Sequence, residues 1–498
     1  MANPESGFIV DSTKRSDYVF KFLSYYYDKR SRTATFCYQG IDNFIFTEKI
    51  TFAPNPADET RKFNVLNKPE LDELLDRAVF LAFILIGTSY FKAHPTPYVR
   101  LDIPLDDFQA KFFSHIYQEG LSQYAFENHL TRSNLAHFVA TPNYTARPAV
   151  RYSGVGNLAL ESGGKDSLLV SALMNEAGIK YTPWYLSSSP EGEHPAVIDN
   201  LFDELVRSKA SIAIRELDLE HLRQSGGFNG HVPITYITQS LALIQAILNN
   251  QNTVITSIAQ EGGEPHSIIS SSGQILSPNT DTSTMPAALK VNHQWSKTWE
   301  AEQLFAEYVE KYISPDLHVG SPIRRFSELR VAELFIRKCW QKYGYSFSSC
   351  NNANYRQGNS NKSLRWCSNC AKCANTYLLF CPFLPPQNLQ ALFADKDLFA
   401  IKELEDTFKG LLGVDGVLKP FECVGTIDEL RFAYQSRSLV PFQTDPNLKN
   451  QMLASKQPLP PHYADLPFPV PRSSFNYAAE YPQQQYFTDF LRKQDPEA

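Results

Sequence analysis

The stretch LALESGGKDSLLV, residues 158–170, joins an apolar strand-like segment to an apolar helix-like segment through a turn of glycines and polar residues. Gly163 and Gly164 allow the backbone to approach a ligand closely, and the start of a helix directs free N–H groups towards it. Two hydroxyls and one ammonium complete the turn, from Ser162, Ser167 and Lys165. All of these groups favour a bound anion, whereas the neighbouring carboxylate of Asp166 opposes one.

The position of Asp166 separates this turn from two common phosphate loops. Walker A loops require Ser or Thr directly after Gly-Lys, and the dinucleotide pattern G-x-G-x-x-G is also absent. Asp166 and Ser167 could simply occupy a helix start, where small polar and acidic residues are favoured. The complete SGGKDS arrangement instead predicts that Asp166 faces a Mg²⁺ ion shared with nucleotide phosphates, because the metal makes an acidic group attractive there.

Strand-like and helix-like segments alternate after about residue 150. The predicted strands are NLALE, YTPWYL, SIAIREL and TVITSIA. The predicted helices are DSLLVSALMNEAG, which ends at Gly178, AVIDNLFDELVRS and VPITYITQSLALIQAILNN. This order predicts an α/β fold with a twisted parallel sheet and helices on both faces. Ligands of such sheets lie at the carboxyl ends of the strands, which is where the SGGKDS turn falls.

The chain divides into three parts by pattern. Residues 1–145 are predicted to form an α+β domain, with a hairpin of TATFCYQG and NFIFTEKITF around GIDN, followed by the helix PELDELLDRAVFLAFILIG. Residues 146–385 form the predicted nucleotide-binding domain, with a cysteine cluster near its end. Residues 386–498 contain a helical stretch and the proline-rich tail KQPLPPHYADLPFPVPRSSF, which we expect to pack in an extended form.

Composition and charge exclude several classes of protein. The formal net charge of −6 and the lack of a basic arm argue against a nucleic-acid partner. The first residues, MANPESGFIVDSTKR, do not resemble a secretory signal. The apolar run at 79–91, VFLAFILIGTSYF, is too short to cross a bilayer and predicts a buried helix. We therefore expect a cytoplasmic protein with no membrane partner.

Four of the eight cysteines lie close together in the sequence: Cys350, Cys367, Cys370 and Cys373. Four thiolates around Zn²⁺ are a common outcome of such a group, and the nearby cations Lys362, Arg365 and Lys372 would offset their charge. Reduced structural cysteines at a helix start are the competing interpretation. An iron–sulfur cluster is a third one, although the spacing differs from that of ferredoxins.

The SGGKDS turn resembles the loop of the N-type ATP pyrophosphatase, or PP-loop, superfamily. A PP-loop followed late by a cysteine cluster is similar to 7-cyano-7-deazaguanine synthase, but those enzymes are much shorter. The chain better resembles the UDP-N-acetylmuramoyl-L-alanyl-L-glutamate epimerase family of bacterial cell-wall synthesis. The likeness covers most of the chain and is carried by the aromatic hairpin near 36–53 and by SYFKAH, SGGKDSL, NGHVPIT, VNHQWSKTWEAE, SELR and SSCNNANY…WCSNCAKC.

This resemblance implies a Rossmann-like PP-loop fold, an ATP-dependent reaction and a nucleotide-linked muramoyl dipeptide as substrate. ATP, with Mg²⁺, would adenylate the carboxylate of the terminal L-glutamate, which makes its α-hydrogen acidic enough for a side-chain base. Return of a proton to the opposite face and hydrolysis would give the D-glutamyl product, AMP and diphosphate. The separate similarity to 7-cyano-7-deazaguanine synthase, which carries structural zinc, implies that a Zn²⁺ ion at the four cysteines would be structural.

Candidate site residues follow from the turn and from polar residues in the resembling segments. The nucleotide-binding candidates are Ser162, Gly163, Gly164, Lys165, Asp166 and Ser167. The candidate catalytic residues are Lys165, Asp166, His231 and Glu261, with His266 and His293 as further candidates. For each residue outside the turn, a structural role is the competing interpretation. Arg324 and Arg325 could bind a carboxylate or a diphosphate through their guanidinium groups, or could be a solvated pair at a helix start.

Two other classes of function compete with the epimerase. One is another PP-loop adenylating enzyme, such as an amide- or nitrile-forming ligase or an RNA-thiolating enzyme. The other is a nucleotide-binding regulator that keeps the loop without turnover. The negative net charge disfavours the RNA enzyme, and the complete set of polar groups in the turn disfavours the regulator.

Overall fold

The computed structural model describes residues 18–53, 69–188, 210–260, 264–324, 326–353 and 364–436. The described residues include the whole SGGKDS turn and all four clustered cysteines. Several predictions fall outside them, namely the helix at AVIDNLFDELVRS, the proline-rich tail, and the candidate residues Glu261 and Arg325.

One large mixed sheet dominates the described structure. The strands are β1 (Phe20–Asp28), β2 (Thr33–Gln39), β3 (Ile45–Phe52), β4 (Val99–Leu101), β5 (Asn157–Leu160), β6 (Thr182–Ser187), β7 (Ser211–Glu216), β8 (Thr253–Ile255), β9 (Ser267–Ile269), β10 (Ile275–Leu276), β11 (Leu289–Val291) and β12 (His318–Gly320). Nine of them are ordered β12-β8-β5-β6-β7-β3-β2-β1-β4, and β10-β9-β11 form a second, small sheet.

The predicted parallel sheet is confirmed in one half of the large sheet. The strands β12, β8, β5, β6 and β7 are parallel neighbours, and they include all four strands predicted after residue 150. The predicted hairpin is also present, but its strand β3 pairs antiparallel with β7, where Phe52 lies opposite Ala213. The sheet therefore runs across the predicted boundary near residue 145 and is mixed rather than purely parallel.

Helices flank this sheet. Those described are α1 (Pro69–Phe91), α2 (Asp107–Gln118), α3 (Ser122–Glu127), α4 (Lys165–Glu176), α5 (Leu219–Gln224), α6 (Ile234–Leu248), α7 (Trp299–Tyr308), α8 (Glu328–Lys338), α9 (Trp340–Tyr343), α10 (Ala371–Phe380), α11 (Pro386–Leu392), α12 (Glu405–Leu412) and α13 (Ile427–Ser436). Gly178, with φ +67°, follows α4 as predicted, because this left-handed conformation suits glycine after a helix.

Two apolar cores lie on the two faces of the parallel strands. Successive residues of a strand point to opposite faces, and Leu158 of β5 packs in one core while Ala159 packs in the other. Val254 and Ile255 of β8 divide in the same way. The first core contains α1 and α6, and the second contains α4, α8 and α10. Helices therefore cover both faces here, as the alternating pattern predicts.

The long apolar helix α1 belongs to the first core. It is longer than the apolar run at 79–91 and, by length and composition alone, could cross a membrane. However, 89% of its most apolar window is buried inside the protein. Burial of this kind is what a core helix requires, so the prediction of a buried helix is confirmed.

Candidate active site

The SGGKDS turn joins the carboxyl end of β5 to the amino end of α4 through residues 161–164. Gly163 has φ +72°, a conformation that residues with a side chain rarely adopt. At Gly164, an added Cβ atom would lie only 3.0 Å from the hydroxyl oxygen of Ser349. The two glycines therefore let the backbone curve tightly beneath a serine contributed by a distant part of the chain.

The two serines of the turn bond within it. The backbone N–H of Ser162 donates to Ser167 Oγ at 3.3 Å, and this hydroxyl in turn donates to the carbonyl of Gly164 at 3.2 Å. Ser167 is almost completely buried, with 1% of its surface exposed. Its hydroxyl thus shapes the turn, and contact of either serine with a nucleotide stays a prediction.

Lys165 and Asp166 form an ion-pair network with Glu328, which stands in the quoted segment SELR but was not among the candidate site residues. Lys165 Nζ lies 2.7 Å from Asp166 Oδ1 and 2.6 Å from Glu328 Oε2, at the start of α8. Burial lowers the pKa of Lys165, but the charges of Asp166 and Glu328 raise it by more, so it lies well above its ordinary value. A buried ammonium is therefore held in place, with Asp166 still partly exposed beside it.

Glu161, directly before the turn, is a second buried carboxyl group that the sequence reasoning missed. It accepts a hydrogen bond from Ser171 Oγ of α4. Burial raises the pKa of Glu161 to about 8, against the opposing effect of hydrogen bonds from Ser171 and Ser167. In the sequence, only its position directly after an apolar strand signals it.

A cavity of about 620 Å³ opens above the turn, at the carboxyl ends of β5 to β8. It is lined on one side by Asp166 and on the others by Leu186 of β6 and Thr256 after β8. Lys297 and Cys423 complete the wall from distant parts of the chain. Its position is the one predicted for the ligand of a parallel sheet, and its size suits a nucleotide-sized molecule.

Several polar atoms of this cavity wall have no hydrogen-bond partner among the described residues. Trp184 Nε1, Gln239 Oε1 and Thr256 Oγ1 are buried, and within the described part of the chain nothing bonds to them. All three residues line the cavity. Because buried polar groups are normally paired, these donors and acceptors indicate that a polar ligand or water completes the site.

The predicted histidines lie together near the other end of the cavity. The rings of His231 and His293 are 5.3 Å apart, and His266 lines a small adjoining cavity with His293. Burial lowers the pKa of His231 and of His266 to about 4. Burial likewise lowers the pKa of His293, and the nearby His231 adds to this effect. All three rings are therefore neutral at physiological pH.

The guanidinium group of Arg324, predicted to bind a carboxylate or a diphosphate, has its observed partners within the protein. It is 1% exposed, and its guanidinium binds the Glu302 carboxylate and the carbonyl oxygens of Ala259 and Lys297. These contacts fix the backbone of the segment that carries Lys297. These bonds indicate a structural role for Arg324. They do not support a contact with substrate, which stays a prediction.

The sequence reasoning also missed Cys423 and Lys297. Lys297 Nζ donates to Cys423 Sγ at 3.3 Å, and the same sulfur lies 3.6 Å from His293 Nε2. Lys372 Nζ donates to the carbonyl of Cys423. Lys297 stands within the quoted segment VNHQWSK, whereas nothing local distinguishes Cys423 from the other isolated cysteines.

The four clustered cysteines come together as the spacing predicts. Their sulfurs all lie within 4.8 Å of one another, and four of the pairs are 3.6–3.9 Å apart. Sulfurs bound tetrahedrally to zinc at about 2.3 Å would be separated by about 3.8 Å. The donor set and its geometry therefore fit a four-coordinate metal ion such as Zn²⁺. The members are Cys350, Cys367, Cys370 and Cys373.

Comparison with known proteins gives matches over most of the chain. A family model described as the MurL N-terminal domain matches residues 12–321, and one described as the MurL C-terminal domain matches residues 346–459. No solved structure gives a significant match.

Three curated relatives are each named UDP-N-acetyl-alpha-D-muramoyl-L-alanyl-L-glutamate epimerase, and each is 30% identical to this chain. The relative from Xanthomonas oryzae pv. oryzae aligns with 72% of this chain and 74% of its own length. The relatives from Micromonospora sp. and Salinispora tropica each align with 84% of this chain, and with 86% and 84% of their own lengths.

Proposed function

Because this chain belongs to the MurL family, we propose that it epimerises the terminal glutamate of UDP-N-acetylmuramoyl-L-alanyl-L-glutamate from L to D, in peptidoglycan synthesis. The observation that carries this proposal is the extent of the relationship to proteins named as such epimerases. The matched segments, 12–321 and 346–459, include both the SGGKDS turn and Cys423. This relationship favours the epimerase over the ligase, RNA-modifying and regulatory alternatives.

ATP is the proposed source of free energy, bound at the SGGKDS turn as in PP-loop enzymes. The turn offers the start of α4 and two glycines that permit close approach, and it opens on a cavity large enough for a nucleotide. The polar atoms of Trp184, Gln239 and Thr256 that have no partner in the described part of the chain are suitable partners for the base or ribose. These features support the proposal that the triphosphate lies over residues 162–167.

Asp166 fits the proposed role of Mg²⁺ ligand. Its carboxylate lines the cavity at the first turn of α4, and its bond to Lys165 leaves it partly exposed. A bound Mg²⁺ would neutralise phosphate charge and make this acidic residue favourable beside an anion. Lys165, held by Asp166 and Glu328, would contribute a fixed positive charge to the same phosphates.

Adenylation would make the chemistry of the α-carbon possible. The α-hydrogen of a glutamate carboxylate is only weakly acidic, because its removal places a second negative charge next to the first. Transfer of AMP to that carboxylate forms a mixed anhydride, whose carbonyl group accepts the electron pair left by the proton. A base can then remove the α-proton, an acid can return one to the opposite face, and water releases AMP and the D-glutamyl product.

The four-cysteine cluster is proposed to bind a structural Zn²⁺ ion. All four ligand positions would be filled by thiolates, which leaves no open position for a substrate. The cluster also lies next to the cavity through Lys372, which stands between Cys370 and Cys373 in the sequence and donates to the carbonyl of Cys423. A bound ion would thus stabilise one wall of the site.

One experiment tests this proposal directly. The purified protein is supplied with UDP-N-acetylmuramoyl-L-alanyl-L-glutamate, ATP and Mg²⁺ in heavy water, without ammonia or any amine. We expect AMP, diphosphate and a D-glutamyl product that carries deuterium at its α-carbon. If AMP forms while the α-hydrogen is fully retained, adenylation survives and the epimerase does not. Formation of ADP would contradict both.

A further inference from the structure

The thiol of Cys423 lies at a junction of cavities, among groups suited to acid–base chemistry. Cys423 and Lys297 line the large cavity above the SGGKDS turn and also the small cavity that contains His266 and His293. A third, small cavity joins both residues to Lys165 and Asp166. The thiol is half-buried, so a ligand placed at the turn can extend towards it.

The hydrogen-bond acceptor beside this thiol is fixed by a chain of side chains. Gln123 Nε2 donates to Glu127 at 2.7 Å, which leaves Gln123 Oε1 as an acceptor. That oxygen lies 2.6 Å from His293 Nδ1, so this nitrogen carries the ring proton. His293 Nε2 is then the unprotonated nitrogen, and it faces Cys423 Sγ at 3.6 Å.

The charges around the sulfur match this arrangement. The lowered pKa of His293 keeps its ring neutral, so that Nε2 can accept a hydrogen bond from the thiol. On another side, the Lys297 ammonium lies 3.3 Å from the sulfur and can balance the charge of a thiolate. The sulfur therefore contacts one neutral hydrogen-bond acceptor and one cation, which is the setting that an acid–base cysteine requires.

A second observation indicates that a ligand reaches this place. His266 is 6% exposed, and its Nε2 bonds to the carbonyl of Pro420 while its ring stacks on Phe421. Its other ring nitrogen, Nδ1, is buried and bonds to nothing within the described ranges. His266 and Cys423 line the same small cavity. Because buried polar atoms are normally hydrogen-bonded, this nitrogen indicates that a ligand or water supplies a polar partner in the small cavity.

We propose that Cys423 exchanges a proton with the α-carbon of the activated glutamyl residue, an assignment that rests on the proposed function. As a thiol, the sulfur gives its proton to the α-carbon: the S–H bond breaks, a C–H bond forms with the electron pair held by the anhydride carbonyl group, and the thiolate left behind pairs with the Lys297 ammonium. In the reverse sense the thiolate takes the proton from that carbon, and the electron pair passes to the carbonyl oxygen of the anhydride. Cys423 acts on one face of the glutamyl residue, and Lys297 balances its charge.

His293 and Gln123 are positioning residues in this proposal. His293 accepts from the thiol and orients it, and Gln123 holds the ring in the required tautomer. Neither needs to touch the substrate. The four cysteines of the cluster are not candidates for the same task, because each of their sulfurs lies among the other three.

Substitution of Cys423 separates the two halves of the reaction. Diphosphate–ATP exchange in the presence of the muramoyl dipeptide measures adenylation, and α-deuterium in heavy water measures proton transfer. We expect Cys423→Ser and Cys423→Ala to lower deuterium incorporation at least about a thousandfold while diphosphate–ATP exchange changes by less than about threefold. The matched control is Cys37→Ser, at another half-buried free cysteine, which should leave both rates unchanged.

The outcomes distinguish this inference from the proposed function. If the unaltered protein shows neither AMP nor exchange with the muramoyl dipeptide, the proposed function fails. If it shows both, and the Cys423 variants also incorporate deuterium at the normal rate, only the role of Cys423 is overturned.

A second measurement keeps the inference testable if the Cys423 variants do not fold. Iodoacetamide alkylation of the unaltered protein, followed by mass spectrometry, reports access to Cys423. The D-glutamyl product with AMP should slow alkylation of Cys423 at least about tenfold and leave alkylation of Cys37 unchanged. Alkylation of Cys423 at the same rate with and without these compounds would overturn the proposed contact.

Discussion

The two ends of the large cavity are built in opposite ways. At the loop end, the groups come mainly from one continuous segment, residues 161–167, fixed between β5 and α4. At the thiol end, Gln123, His293, Lys297 and Cys423 come from separate parts of the chain and meet only in the folded protein. A continuous motif can thus be recognised in the sequence, whereas a site assembled from distant residues cannot.

The two ends also differ in charge, and this difference matches two separate tasks. The loop end contains a buried ammonium between two carboxylates, Asp166 and Glu328, which suits phosphates and a divalent cation. The thiol end contains neutral imidazoles beside a sulfur and an ammonium. If activation occurs at one end and proton transfer at the other, changes at the two ends should have different effects.

The largest expected effect is that of Asp166→Asn at the loop end. Loss of the carboxylate removes the proposed Mg²⁺ ligand, while asparagine is well accepted near a helix start. We expect AMP formation and α-deuterium incorporation to fall together, by about a thousandfold or more, with the melting temperature little changed. The exposed Asp102, which pairs with Arg100, provides the control variant Asp102→Asn. Near-normal AMP formation by Asp166→Asn would remove the magnesium role.

The next effect is on protein stability, and it concerns the four-cysteine cluster beside the thiol end of the cavity. If the four cysteines bind zinc, the purified protein should contain about one zinc per chain, measured by atomic emission. Cys370→Ser should then lower the free energy of unfolding by at least about 4 kcal/mol, since a structural metal contributes folding free energy. The control variant Cys37→Ser should have the same zinc content and the same free energy of unfolding as the unaltered protein. Metal-free protein of unchanged stability would favour plain reduced thiols.

A smaller effect, confined to the loop end, is the pH dependence that Glu161 imposes on stability. Its pKa is about 8 in the folded protein and 4.5 in the reference state, so the folded protein binds more protons between these values. The contribution of this group to the free energy of unfolding is therefore complete below pH 4.5. It is lost as the pH rises to about 8, which lowers the free energy of unfolding by no more than about 5 kcal/mol. In urea unfolding at pH 5, 7 and 9, the Glu161→Gln variant should not show this decline in the free energy of unfolding. Parallel curves for both proteins would contradict the raised pKa.

The smallest expected effect is that of Gln123→Met at the thiol end. Methionine has a similar length but cannot accept the His293 proton as the amide oxygen does. Loss of one hydrogen bond, about 1 kcal/mol, should lower α-deuterium incorporation about fivefold. Diphosphate–ATP exchange should stay unchanged, which a general loss of structure would not allow. An equal fall in both rates would instead indicate that Gln123 contributes to the stability of the protein as a whole.

The sequence allowed the parallel half of the fold to be predicted because its signals are local. NLALE, YTPWYL, SIAIREL and TVITSIA are short apolar runs separated by helical patterns, and each is a strand of the sheet. The pairing of β3 with β7 could not be read in this way, because it joins residues such as Phe52 and Ala213 that are far apart in the chain. Strand pairing across such a distance leaves no local trace.

The same limit explains the outcome for the site residues. The SGGKDS turn and the four cysteines were found from spacing alone, and the structure brings each group together. Glu328 and Cys423 were missed because their significance depends on neighbours from other segments, Lys165 and His293. Arg324 is predicted to bind an anionic ligand because a guanidinium group suits anions. In the structure its guanidinium binds the Glu302 carboxylate, and contact with a ligand stays a prediction.

The strand order of the large sheet has a consequence for the growing polypeptide. Within the described part of the chain its last strand, β12, ends at Gly320, so the nine described strands of this sheet and the SGGKDS turn are synthesised before Cys423. Because nascent chains fold from the N-terminus, the first core can form while the cysteine cluster and Cys423 are still missing. A chain released early, after residue 345 for example, would carry the nucleotide turn without the thiol that completes the proposed reaction.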